Sequence, residues 1–240
     1  MVTRRVPFTP RSVRMKYGDR VARFIAISNA VRDAMVVGGV DESRIDVVHS
    51  GIEIPQLPVA TRNWRDELGW PADSVICGIV GAMTGEKGID LLDAIAAGLP
   101  HAIRGRTRLL LLGGEARGHL SVNGVAAFSA GFVDDIQPAM AGIDVLWHPS
   151  RAEGLGTAVL DAMALEVPPV AFAVGGLTEV TVSGESGILI PPGDIPAFAA
   201  AASRLGALGW ALKALRRELL DFRFMYDVHA VPAAVRAGAL

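Results

Sequence analysis

Ile143-Asp144-Val145-Leu146-Trp147-His148-Pro149-Ser150-Arg151-Ala152-Glu153-Gly154-Leu155-Gly156-Thr157-Ala158-Val159-Leu160-Asp161-Ala162-Met163 is the stretch from which the fold can be read. Its apolar start, Ile143 to Trp147, has the character of a buried strand that stops at Pro149-Ser150. A short loop carries Glu153, two glycines follow, and a helix is expected from Gly156 to Leu165 with Asp161 near its second turn. Strand, loop and helix in that order form the repeating unit of a parallel sheet, because parallel strands need a crossover to return to the same edge.

The same unit recurs on both sides. Upstream, Arg23 to Ile27 reads as a strand, Ser28 caps a helix reaching Val37, and Gly38-Gly39 ends it. Ile45 to Val48 is a second strand, and the Pro55 to Pro58 stretch marks a domain boundary. Beyond it come strands at Val75–Gly81, Arg108–Leu112, Val125–Ala130, Val170–Ala173 and Ile188–Ile190. Gly113-Gly114 and Gly175-Gly176 are expected to close two of them. Helices are expected at Gly88–Ala97, with Leu91, Leu92 and Ile95 on one face, and at Ile195–Leu205 and Leu208–Leu220. Continuously apolar strands alternating with amphipathic helices predict an α/β protein with a Rossmann-like parallel sheet and helices on both faces. Such sheets bind ligands where the carboxyl ends of strands meet helix starts.

Composition narrows the function. Hydrophobic residues make up 51% and charged residues 20% of 240, enough for a sizeable core, and the net charge of -2 gives no reason to expect nucleic acid. Arg4, Arg5, Arg11, Arg14, Lys16, Arg20 and Arg23 form a basic strip opposed only by Asp19. It suits an anionic membrane surface or an acidic substrate, or is simply a solvated or partner-facing strip. The single cysteine, Cys77, lies in an apolar run, so a buried thiol in a reducing, cytoplasmic setting is expected. No apolar run reaches the roughly 18 residues of a spanning helix, and the N-terminal arginines precede no apolar signal segment.

The chemistry concentrates at two strand ends. Around Glu153, the first amides of the Gly156 helix lack internal partners and carry the positive end of its dipole, and Gly154 and Gly156 admit close backbone approach, so a diphosphate fits there. Asp161 leans back toward the same site, since helical side chains tilt toward the N-terminus. A Gly-rich turn with one helix-capping acid is the plainer reading of the same residues. In Gly81-Ala82-Met83-Thr84-Gly85-Glu86-Lys87-Gly88, Lys87 is placed to neutralise a leaving phosphate, or is a solvent-facing lysine beside Glu86. His148 ends a strand beside the main loop, either to touch a ligand or to serve the structure. No phosphate-binding Gly-x-x-x-x-Gly-Lys loop and no Gly-x-Ser-x-Gly elbow is present, and the five histidines have no metal-ligand spacing.

Taken together these segments resemble the family 4 glycosyltransferases, retaining enzymes built from two Rossmann-like domains (the GT-B arrangement). The resemblance runs from about Arg4 to about Leu205. It rests on Phe24 to Val31, Val47 to Ile52, Glu86 to Leu92, Gly131-Phe132-Val133, and Glu153 to Asp161, two acidic residues with seven between them. It implies a remnant of the acceptor domain with its hinge over residues 1–58, a nucleotide-sugar-binding domain over 59–205, and a helical tail over 206–240. It also implies that Glu153 contacts the donor sugar and Lys87 the diphosphate, the two catalytic positions. Asp161 would contact the ribose, Gly154, Leu155, Gly156 and Thr157 the phosphates, and backbone near Phe132 and Val133 the base. The donor substrate is a nucleotide-diphosphate sugar, with no metal or other cofactor implied. The acceptor is a glycan or lipid-linked molecule of the bacterial cell surface, met in the cytoplasm or peripherally at the inner face of the membrane.

Three departures qualify that expectation. The family usually has arginine at Ala82, so Lys87 stands alone unless Arg151 compensates. It usually has glutamate at Asp161. Most of an acceptor domain is expected ahead of the first residue here, which implies a fragment, a truncated product or a chain that needs a partner. A non-catalytic module that binds a nucleotide sugar or a partner chain is therefore the alternative to an enzyme. Another sugar-nucleotide enzyme, such as an epimerase, is disfavoured by the acidic pair at Glu153 and Asp161.

Overall fold

The computed structural model describes residues 1–10, 21–52, 55 and 59–207, with side chains to residue 205. The expected helix at Leu208–Leu220, the tail over 206–240 and the basic residues Arg11, Arg14, Lys16 and Arg20 lie outside the described side chains.

Among the described residues there are two sheets. The first joins three short parallel strands in the order β1 (Val2–Arg4), β2 (Phe24–Ala26) and β3 (Ile45–Val47). β1 precedes the first strand expected from the sequence; Val2-Thr3-Arg4 is too short and polar to leave an apolar run to read. Helix α1 (Asn29–Val37) follows β2, and Ser28 caps it as expected, its hydroxyl accepting from Val31 N at 3.1 Å. Phe24, Ala26, Val31 and Met35 bury the apolar faces of these elements against each other.

The second sheet has six strands in the order β6-β5-β4-β7-β8-β9. They are β4 (Val75–Val80), β5 (Thr107–Val122), β6 (Val125–Gly131), β7 (Val145–His148), β8 (Pro169–Phe172) and β9 (Ile188–Ile190). β4 is parallel to β5 and β7, and β8 is parallel to β7 and β9, so the central strands point their carboxyl ends the same way. Two groups of helices cover it. α8 (Ile195–Ala207) contacts both α3 (Leu92–Gly98) and α4 (His101–Arg106), and separately α5 (Ile136–Ala141) contacts α6 (Thr157–Ala164). Two shorter helices, α2 (Trp64–Leu68) and α7 (Leu177–Val180), pin the connections. Trp64 is buried and its indole N–H donates to Ala139 O, tying α2 to α5. The core is aromatic at the sheet's centre, where Phe198 meets Trp147 and Phe172 edge-on at ring distances of 6.1 and 5.2 Å.

The sheet departs from expectation in one place. Gly113-Gly114 does not end β5. The chain bends there and returns as an extra strand, with Gly118–Val122 lying antiparallel to Val125–Ser129. On the other side of β6, the partners of Arg108–Leu112 advance in step with Ala126–Gly131. A hairpin thus replaces the usual crossover helix. Its turn is Asn123-Gly124, with φ of 44° and 80°, and two consecutive positive φ values match the twist of a tight hairpin.

Contacts between the two units bear on the site. Ser28 Oγ donates to Gly154 O at 2.6 Å. Glu179, in α7, accepts from Asn29 N at 2.9 Å, Asn29 Nδ2 at 2.8 Å and Ala30 N at 3.1 Å, and His49 Nε2 lies 2.9 Å from it. One carboxylate thereby satisfies the open amides at the start of α1 and fixes the first unit to the second. These bonds outweigh the upward push of partial burial and hold the Glu179 carboxyl below its usual range.

Candidate functional site

The carboxyl ends of β4 and β7 carry the loops on which the chemistry was expected, and the structure brings them together. Glycine makes this possible at one point. A side chain at Gly88, which has φ 72°, would fall 2.0 Å from Pro149 O, so the β4 loop rests directly on the β7 loop. Arg151 N donates to Glu86 O at 2.8 Å, and the Arg151 guanidinium grips Asp90 with two bonds of 2.7 Å while a further bond reaches Gly85 O. Arg151 thereby joins the two loops.

The consequence of that junction is a close pair. Lys87 Nζ lies 2.6 Å from Glu153 Oε1. His148 Nε2 lies 2.7 Å from the same oxygen, and Ser150 Oγ lies 3.2 Å from that nitrogen. Glu153 is 7% exposed and His148 3%. Burial alone pushes the Glu153 carboxyl up, but the hydrogen bonds and charge of His148 and Lys87 outweigh it and hold the group at about 2. The site thus keeps an ionised carboxylate inside the protein.

Asp161 sits in the second turn of α6 in the opposite condition. No side chain among the described residues hydrogen-bonds its carboxyl, and burial pushes it up to about 6. α6 begins at Thr157, which is exposed, after Gly156 in the left-handed region at φ 89°. Leu155 is buried in the core. Gly154 and Gly156 do permit close approach, but the atoms that approach belong to the chain itself: Arg5 O lies 2.2 Å from a side chain built on Gly154, and Leu177 Cδ2 the same distance from one on Gly156.

Phe132 and Val133 are found elsewhere. They line a cleft of about 1280 Å³ between the β4 loop and the β5–β6 hairpin. Gly81, Ala82, Met83 and Thr84 form one wall, and Leu111, Leu112, Leu120 and Val122 contribute much of the apolar remainder. Phe132 is 80% exposed at this cleft. Lys87, Glu153 and Asp161 do not line it. The candidate site is therefore bipartite, an apolar cleft and a charged pair, joined by the loop from Gly81 to Lys87.

Cys77 is buried, and burial with the nearby Asp144 charge pushes its thiol well up, so it is no nucleophile. No group of three or more metal-ligating side chains lies together among the described residues, and no described helix is long and apolar enough to cross a membrane. Two features escaped the sequence reading. Glu179 meets its partners across 150 residues of chain, which no local pattern reveals. The Asn123-Gly124 hairpin was signalled by its dipeptide and by the alternation of Gly118, Leu120 and Val122.

Comparison with known proteins fits this geometry. The family described as "Glycosyl transferases group 1" matches residues 74–207, more than half of the chain. The D-inositol 3-phosphate glycosyltransferase of Mycolicibacterium smegmatis is 31% identical over 235 aligned positions, covering 82% of this chain and 52% of that protein. The chain thus spans about half the length of the curated relatives it matches. Among solved structures, HepE of Anabaena in complex with UDP superimposes with a TM-score of 0.77 at 22% identity, over 91% of this chain and 64% of its own. WaaG, a glycosyltransferase involved in lipopolysaccharide biosynthesis, does so with a TM-score of 0.72 at 18% identity, over 89% and 61%. These two likenesses establish the shared fold.

Proposed function

The chain belongs to the group 1 glycosyltransferases, and on that premise we propose that it binds a nucleoside-diphosphate sugar and serves its retaining transfer to a glycan or lipid-linked acceptor of the cell surface. The observation that carries this reading is the Lys87–Glu153 pair, joined through the Gly81–Lys87 loop to a cleft large enough for a nucleoside. In this reading residues 59–205 form the donor-binding domain and residues 1–58 the adjoining part of the acceptor domain. The base lies in the cleft beside Phe132 and Val133. The diphosphate follows the loop from Gly81 toward Lys87 and the start of α6, and the sugar meets Glu153. Asp161 takes the ribose.

Each group has a chemical reason for its place. A departing diphosphate gains negative charge, and Lys87, at the end of the loop it follows, is a cation that can stabilise it. Glu153, ionised and buried, accepts hydrogen bonds from sugar hydroxyls and favours positive charge growing at the anomeric carbon. Transfer forms a bond between the acceptor oxygen and that carbon on the face from which the phosphate departs. The acceptor proton passes to the phosphate oxygen, so no protein base is needed.

A second reading, binding without efficient transfer, is favoured by one observation. Ala82 lines the cleft where a second cation would share the phosphate charge. An assay of the purified chain with a panel of nucleotide sugars and with glycan and lipid acceptors separates the two. Transfer that vanishes in Glu153→Ala supports the enzyme; saturable donor binding without transfer supports the binding module; neither activity in a folded chain contradicts both.

A further inference from the structure

Two donors meet on a single oxygen of Glu153, one on a partly exposed side chain and the other on a buried one. Lys87 Nζ comes at 2.6 Å from a side chain that is 26% exposed. His148 Nε2 comes at 2.7 Å from a side chain that is 3% exposed. In the reading above, on which this inference rests, the donor diphosphate also needs Lys87. The amine cannot fully serve both, because a diphosphate carries more charge than one carboxylate and draws the ammonium away. Left alone, the buried Glu153 would then be an uncompensated charge in a poorly solvated place, a costly state that opposes the move.

We propose that His148 is a positioning residue that frees Lys87 for the donor phosphates by remaining on Glu153 when the lysine departs. The ring holds the same oxygen from the protein side, so the carboxylate keeps a strong hydrogen bond whether or not Lys87 is present. Ser150 Oγ, in a buried residue and 3.2 Å from His148 Nε2, can act only as a secondary acceptor of the same N–H. With Nε2 protonated, the imidazole donates to Glu153 Oε1, and no change of protonation is needed on binding. Glu153 in turn stays fixed for the sugar. Arg151 is held by Asp90 and Gly85, and position 82 is alanine.

The test uses nucleoside diphosphates without the sugar, so that contacts of Glu153 with a sugar do not enter. UDP and GDP are titrated into the full chain by calorimetry, and the tighter of the two is followed through the variants. His148→Leu is expected to weaken binding tenfold or more, because Lys87 is then the only side-chain partner of Glu153 among the described residues. His148→Gln, whose amide N–H can donate to the carboxylate, is expected to recover affinity to within about threefold of the parent. In a Lys87→Ala background, His148→Leu is expected to change affinity by less than twofold, a coupling that simple loss of packing would not produce. Glu153→Gln frees the lysine by removing the competing charge, and is expected to bind threefold or more tighter; this variant decides the matter should His148→Leu fail to fold. Unchanged affinity in His148→Leu, or tenfold weaker affinity in Glu153→Gln, overturns the inference while leaving the donor site intact. Unchanged affinity in Lys87→Ala removes the donor reading itself, and the inference with it.

Discussion

Lys87 and Glu153, 66 residues apart, form a 2.6 Å ion pair at the point where the loops after β4 and β7 cross. The pair links fold to function, since two parallel strands with adjacent carboxyl ends deliver it. Its first measurable consequence is on stability. Glu153 falls from its ordinary 4.5 to about 2 in the folded state, so folding favours its ionised form. The stability it contributes is present above the unfolded value of 4.5 and is lost as pH falls toward 2. The shift corresponds to about 3 kcal/mol, taken as an order of magnitude. Denaturant unfolding of the parent and Glu153→Gln between pH 7 and pH 2 is expected to show the parent losing more stability across that window. Parallel curves would mean that the pair does not form.

Asp161 behaves with the opposite sign. Burial raises its carboxyl from 3.8 to about 6, so the folded state holds the proton more tightly than the unfolded chain does. Stability at this position is fullest below 3.8, declines as pH rises through 6, and stays reduced above it. Asp161→Asn is therefore expected to stabilise the protein at pH 8, by about 1–3 kcal/mol, with little effect at pH 4. If the carboxylate takes the ribose, the same substitution weakens nucleotide binding above pH 6. Thermal unfolding and calorimetric titration of one variant check the two opposite effects.

Ala82 is exposed on the wall of the cleft. Ala82→Arg places a cation beside the diphosphate path and is expected to tighten UDP or GDP binding about tenfold, the scale of one charge-assisted contact. Calorimetry at low and high salt checks it, and the gain should shrink with salt. Unchanged affinity would show that position 82 does not face the phosphates.

Glu179 caps α1 from the other unit, with bonds to Asn29 and Ala30. Glu179→Ala leaves those amides open and is expected to cost about 1–2 kcal/mol. Hydrogen exchange should quicken through Asn29–Val37 while β4 to β8 keep their protection. Uniform quickening across both units would indicate a global effect instead.

Much of this fold can be read from local pattern, because parallel strands buried on both faces are continuous apolar runs. Leu109 to Leu112 and Val75 to Val80 are found where they were expected, and Ser28 caps the helix it was expected to cap. The failure at Gly113-Gly114 has a clear cause. Paired glycines usually end a strand, whereas here they bend it, and the following residues alternate as a strand rather than repeat as a helix. At the site, the meeting of Glu153 with Lys87 follows from strand ends sharing an edge. The commitment of Arg151 to Asp90, and the sharing of one oxygen by Lys87 and His148, depend on side-chain geometry that spacing does not encode.

The central claim is that this chain holds a nucleotide-sugar donor through Lys87 and the adjoining cleft, and calorimetric titration of the purified chain with UDP-sugars and GDP-sugars tests it most directly. The account predicts saturable binding of at least one donor, weakened tenfold or more by Lys87→Ala and also weakened by Phe132→Ala in a protein that stays folded. A folded chain that binds none of these donors, or binds one with the same affinity after Lys87→Ala, would contradict it.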